Sequence, residues 1–199
     1  MLLREHSIVL EGITPAGARV RLRPMTEGDW PYLERWNSDP EVLYFSEGDD
    51  IKSWSPEEVR CIYRTVSQHA FCFIIEYQGK PVGECWLQEM NLEEINAKYP
   101  RQDVRRIDIM IGEKDYWGMG IGSTAIRLLT EFAFISQGVD LIYIPGIADY
   151  NTRSMKAFQK MGFEVVRKVK CRPGSKANYV YDLVLTREDF LEKIREHCR

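Results

Sequence analysis

Three glycines at alternate positions, Gly118, Gly120 and Gly122, stand between a strand-like run, Val104 to Ile111, and an amphipathic helix that starts near Met119. A strand that turns this tightly into a helix commits the chain to packed α and β layers, with the helix lying back on the sheet. The helix is read to about Ser136, with Ile121, Ala125, Leu128, Leu129, Phe132 and Ile135 on its inward face. Glycines let the backbone come close to a bulky ligand. At a helix N-terminus the unpaired N–H groups and the positive dipole end then form an anion site, for which a pyrophosphate is the natural guest. Ser123 and Thr124 add hydroxyl donors. Two other phosphate motifs do not fit: a Walker loop needs a lysine after its last glycine, and the dinucleotide fingerprint needs Gly or Ala where Ser123 stands. Taken alone, the glycines would also serve simply to tighten a turn.

Other elements follow from local pattern. Strands are expected at Ile8–Leu10, Ala18–Arg23, Phe71–Tyr77, Val82–Met90, Leu141–Ile144, Phe163–Cys171 and Tyr179–Leu185. In the fourth of these, Val82, Glu84, Trp86 and Gln88 alternate onto one face. Helices are expected from Thr26 to about Asn37, from Ser55-Pro56-Glu57-Glu58 onward, from Asn151 to Met161, and after Thr186. Asn91–Asp103 reads as a polar loop able to cover a site.

With 199 residues and no repeat or linker, residues 1–199 are expected to form a single domain. Twenty-seven basic against thirty acidic residues leave no basic stripe, which argues against nucleic acid as the main partner. No apolar run approaches the length of a membrane span and the first residues lack a signal-like core, so a cytoplasmic protein without membrane attachment is expected. Five cysteines without a C-x-x-C pair point to free thiols packed as small hydrophobes rather than to disulfides, and no metal site is expected. The acidic stretches Glu47-Gly48-Asp49-Asp50 and Glu89 with Glu93-Glu94 read as solvated surface or as loops that receive a cationic substrate.

Downstream, Asn151-Thr152-Arg153-Ser154 opens a helix that ends in Lys160-Met161-Gly162-Phe163. Strand, glycine turn, helix, strand, N-x-R-S and K-x-G-F in this order resemble the GNAT superfamily of acetyl-coenzyme A N-acetyltransferases, over about Val20 to Leu185. The segments Lys80-Pro81-Val82-Gly83, Tyr99-Pro100, Ile107-Asp108, Tyr116-Trp117 and Ala157-Phe158-Gln159-Lys160 resemble more closely the aminoglycoside 6′-N-acetyltransferase branch, a class of antibiotic-resistance enzymes. The resemblance implies an α/β (α+β) GNAT fold: a central mixed, mostly antiparallel twisted sheet of about seven strands, flanked by helices on both faces. It implies acetyl-coenzyme A as cofactor and direct attack by a primary amine, here a cationic small molecule with a 6′-amino group. The protein is expected to be a monomer or homodimer.

The same resemblance assigns residues. Asp108, ten residues before Gly118, is the implied catalytic base or ammonium binder. The alternative is a purely structural ion pair with Arg105 or Arg106, the latter on the same face. Ile109, Met110 and Ile111 are the implied strand for the thioester and pantetheine arm. Trp117, Gly118, Met119, Gly120, Ile121, Gly122, Ser123 and Thr124 form the implied diphosphate turn, and Asn151 contacts the arm or caps its helix. Glu84, Trp86, Gln88 and Asp108 line the implied substrate cleft. Departures from the family are Phe158, where many members have an acidic tyrosine, and Gly146, where the aminoglycoside branch has an aspartate; Tyr150 and Asp149 are nearby but unmatched. Other readings are a protein N-terminal acetyltransferase of the ribosomal-protein type, a siderophore hydroxylamine acyltransferase, and a non-catalytic acyl-coenzyme A-binding module.

Overall fold

The computed structural model describes residues 2–47 and 51–197. Gly48, Asp49, Asp50 and Cys198, singled out above in acidic or cysteine patterns, lie outside the described residues. Eight strands form one sheet in the order β1-β2-β3-β4-β5-β6-β8-β7, one more than the resemblance implies. They are β1 (Leu10–Ile13), β2 (Arg19–Pro24), β3 (Ala70–Tyr77), β4 (Lys80–Glu89), β5 (Val104–Met110), β6 (Leu141–Ala148), β7 (Glu164–Lys170) and β8 (Tyr179–Thr186). All neighbours run antiparallel except β5 and β6.

Helices cover both faces. On one lie α1 (Trp30–Trp36), α2 (Pro40–Ser46) and α3 (Pro56–Val66), packed on Cys72, Ile74 and Met110 through Leu33, Trp36, Val42 and Val59. On the other lie α5 (Ile121–Glu131), α6 (Thr152–Lys160) and α7 (Arg187–His197), which bury Phe73, Cys85, Leu87 and Ile107. A short α4 (Glu93–Lys98) occupies the segment read as a loop. Free thiols occur as expected, but among the described cysteines only Cys72 and Cys85 are buried; Cys61 is exposed.

Local chemistry explains the boundaries. Ser55 Oγ accepts the Glu58 N–H at 3.3 Å while Glu58 accepts the Ser55 N–H at 2.8 Å, so α3 starts on a reciprocal cap. Helix α2, which the sequence reading missed, starts on a one-sided cap: Asp39 accepts from the Glu41 and Val42 amides and Pro40 fills the first turn. The helix read from Thr26 opens instead as a 3₁₀ turn, Glu27–Asp29, because Asp29 is held by the Thr26 amide and by Arg23. Two patterns break at irregularities. A bulge near Ile75/Glu76 slips Val82 off the Glu84–Trp86–Gln88 face, and Val82 packs with the α5 core. A π turn over Phe132–Ser136 ends α5, which swings Ile135 outward to 61% exposure.

The functional geometry comes from a split in the sheet. Strands β5 and β6 pair only at Val104–Leu141 and Arg105–Ile142. Farther along, β6 carries a bulge between Ile144 and Ile147, where Gly146 takes φ +74°. Buried Asp182 braces it, accepting the Tyr143 hydroxyl at 2.7 Å and the Gly146 N–H at 2.9 Å. The edge of β5 from Arg106 onward therefore has no strand partner and faces a gap.

Candidate active site

One cavity of about 470 Å³ lies at this gap, between the free edge of β5, the glycine turn and α6. Gly118 and Gly120 have φ of +80° and +77°, a region that disfavours any side chain, and Gly120 is the N-cap of α5. Gly122 serves space instead: a Cβ there would stand 4.0 Å from Ile109 and Ile111, inside the lining. Trp117 Nε1 donates to the Ile111 carbonyl at 2.7 Å and ties the turn to the strand end. The N–H groups at the start of α5 thus face the cavity as an anion cradle.

Of the residues expected at the cofactor, Ile109, Met110, Ile111, Trp117, Gly118, Gly120, Ile121, Gly122, Ser123 and Asn151 line this cavity. Met119 does not; it is exposed. Thr124 does not either: its hydroxyl donates back to the Gly120 carbonyl at 2.9 Å, which fixes the turn rather than offering a donor to a guest. Asn151 caps α6 as expected, Oδ1 accepting the Ser154 N–H at 3.2 Å, while its Nδ2 donates to the Phe45 carbonyl at 2.9 Å.

Arg153, Lys156 and Lys160 on α6 complete the wall. Their spacing of three and four puts them on one helical face, a signal present in the sequence but not used there. The Arg153 guanidinium lies 4.3 Å from the Phe45 ring centroid and 4.1 Å from that of Trp117. An amide cradle, an unpaired strand edge and three cations fit the diphosphate, amides and remaining phosphate of coenzyme A. Arg153→Ala is expected to weaken coenzyme A binding about tenfold in low salt, with the loss shrinking as salt rises. Calorimetry at two ionic strengths checks it, and equal loss at both would assign Arg153 a packing role only.

A second cavity of about 330 Å³ opens beside the first. The two share Phe45, Ser46, Ile109, Met110, Asn151 and Ser154, so they meet at the end of β5. Of the residues read as lining a substrate cleft, Glu84, Trp86 and Asp108 line this second cavity; Gln88 is buried farther along β4 and does not. Asp108 is held on both oxygens: Arg106 Nε and Nη2 donate at 2.7 and 2.6 Å, and Trp86 Nε1 adds a third bond at 3.0 Å. The ion pair read as an alternative role is therefore present, and it lies at the cavity wall. Phe158 is buried at the floor and has no proton to give. Gly146 lines the cavity where an aspartate was the family expectation; Asp149 does not line it and accepts the Tyr179 N–H at 3.3 Å.

Two further carboxylates join Asp108. Glu47 lies past the end of α2, and burial pushes its carboxyl up from the ordinary carboxylate range. Glu84 is only 3% exposed, and its Oε2 has no hydrogen-bond partner among the described residues. Burial raises the Glu84 carboxyl well above its ordinary range, and the nearby Asp108 carboxylate adds to the rise. The Tyr63 hydroxyl, which receives Asn37 Nδ2 at 3.0 Å, hydrogen-bonds Glu84 from α3.

A split mixed sheet, an anion cradle at the split and a second, acidic cavity meeting the first define an acyl-carrier-dependent transferase domain. The sequence profile of the acetyltransferase (GNAT) domain matches residues 19–164, and the chain belongs to this family, whose cofactor is acetyl-coenzyme A. Among curated proteins it is 23% identical over 160 residues to mouse alpha/beta-tubulin-N-acetyltransferase 9, covering 75% of this chain and 64% of that one, so it spans less than two thirds of that relative. Among solved structures, the aminoglycoside acetyltransferase AAC(6')-Ib with ribostamycin and coenzyme A superposes at TM-score 0.70, with 23% identity over 86% of this chain and 96% of the other. The spermidine N-acetyltransferase of Vibrio cholerae with coenzyme A and spermine also gives 0.70, with 18% identity over 86% and 98%. At these identities the structures share the fold.

Proposed function

We propose that the protein is an acetyl-coenzyme A-dependent N-acetyltransferase whose acceptor is a small cationic primary amine, of the kind presented by the 6′-amino group of an aminoglycoside. The observation that carries this reading is the second cavity itself, which the carboxylates of Glu47, Glu84 and Asp108 line together, with the Arg106 guanidinium paired to Asp108. A cavity with excess carboxylate attracts and orients ammonium groups. That AAC(6')-Ib is solved with ribostamycin and the Vibrio enzyme with spermine, both polycations, supports the same class.

The chemistry needs little apparatus. When bound, acetyl-coenzyme A supplies a thioester carbonyl. An alkyl ammonium has a pKa of about 10.4, so the protein must bind it and draw off a proton before nitrogen can attack. Asp108, fixed by Arg106 and Trp86, presents a rigid negative group to the ammonium. Backbone N–H groups among Ile109, Met110 and Ile111 are the donors for charge on the carbonyl oxygen. With Phe158 in place of an acid, the thiol departs as thiolate, which a pKa near 8–9 allows.

Thiol release with kanamycin, ribostamycin, spermine and an N-terminal peptide tests the acceptor. Turnover of the polycations is expected; none with any of them, alongside intact coenzyme A binding, defeats the reading. Peptide turnover alone would favour the protein-acetylating alternative, which the mouse relative supports. Asp108→Asn is expected to raise the KM for the cationic acceptor about tenfold or more, the scale of one charge-assisted hydrogen bond. An unchanged kcat/KM would remove Asp108 from the site.

A further inference from the structure

We infer that Glu84, rather than Asp108, is the group that takes the proton from the attacking amine. The inference rests on the amine-acetylation reading above and assigns a catalytic residue within it. Geometry separates the two carboxylates. Asp108 spends both oxygens on Arg106 and one also on Trp86, so its lone pairs point at fixed donors. Glu84, two residues before Trp86 on β4 and opposite Met110 on β5, lines the same cavity with a buried oxygen that nothing in the described protein satisfies. A buried carboxylate oxygen without a donor is costly in the empty protein, and an N–H of a bound amine is the group that would satisfy it.

The surroundings suit proton transfer. The groups that bear on Glu84 are the Tyr63 hydroxyl from α3, the Cys72 and Cys85 thiols from β3 and β4, Asp108 with its partner Arg106 from β5, and Glu47 beyond α2. Apart from Arg106, which is committed to Asp108, these are neutral or negative. They favour the uncharged carboxyl. An ammonium beside a Glu84 carboxylate and an amine beside a Glu84 carboxylic acid carry the same total charge. The second pair leaves no separated charges in a dry cleft, so the cleft itself favours moving the proton.

The step then balances. The ammonium N–H bond breaks and its proton goes to Glu84. The nitrogen lone pair forms a C–N bond to the acetyl carbon, the C–S bond breaks, and its electrons leave on sulfur. The nitrogen loses a second proton, which ends on the thiolate, and Glu84 returns the first to solvent after product leaves.

Glu84→Gln keeps shape and removes the basic oxygen. With kanamycin as acceptor, its kcat/KM at pH 7 is expected to fall about 100- to 1000-fold, the usual worth of a positioned base. Coenzyme A affinity should stay within about threefold. The deficit should narrow about tenfold per pH unit toward pH 10, as the acceptor arrives already neutral. A deficit under threefold at pH 7, or one equal at pH 7 and pH 10, overturns the proposal. Infrared difference titration of the coenzyme A complex follows the carboxyl itself, whether or not kanamycin is an acceptor. Wild type should show one carboxylate, missing in Glu84→Gln, that is ionised at pH 7 and takes up its proton above the ordinary carboxylate range; a Glu84 carboxyl already protonated at pH 7, or no such raised titration, equally overturns the proposal.

Discussion

Replacing Gly83 by alanine is expected to destabilise the protein by about 3 kcal/mol, the upper range for forced overpacking. For a chain of this length, that corresponds to a fall in Tm of roughly 6–12 °C. The added Cβ would lie 2.2 Å from the Met110 carbonyl oxygen and 2.9 Å from the Ile111 Cα. Both obstacles are backbone, so no side chain can turn aside, and β4 and β5 must separate where the two cavities meet. Thermal unfolding followed by circular dichroism measures the change. A fall under about 2 °C would mean that the strand ends slide apart freely, against the close pairing of Glu84 with Met110.

The second large effect is on the cofactor. Gly120→Val is expected to raise the Kd for coenzyme A about 10- to 100-fold. A left-handed conformation costs an L-residue about 1–2 kcal/mol, more with a branched Cβ, and the new carbon would crowd Pro15 Cδ at 3.1 Å. The N-cap of α5 can relieve that strain only by leaving φ +77°, which turns the amides behind it away from the cavity. Calorimetry with coenzyme A is the measurement, with near-UV circular dichroism to show that the fold persists. Unaltered affinity would show that the diphosphate is held elsewhere.

Much of this site was legible in the sequence because its logic is local. The left-handed turn before α5, the parity that places Asp108 opposite Ile107 and Ile109, and its Arg106 partner two residues away depend on neighbours along the chain. The misses share another cause. Val82 and Ile135 obey a period until a bulge or a π turn shifts the phase, and both irregularities answer to tertiary packing. Helix α2 did carry its own start signal, Asp39-Pro40-Glu41, parallel to the Ser55-Pro56-Glu57 start that was used. Overlooking it hid Phe45 and Ser46, which border both cavities. Glu84 could be placed on the right face from alternation alone. Its lack of a partner is a property of what folds around it, and no one-dimensional pattern encodes that.

The roof over the split joins elements far apart in the chain: Asn151 bonds the Phe45 carbonyl and Lys176 bonds that of Tyr44. Beneath it, the two cavities meet along one short boundary at the end of β5. On the proposed function, carrier and amine would each have a cavity of its own, meeting only along that boundary. A fold that merely splits one strand pair has, in effect, separated traffic from chemistry.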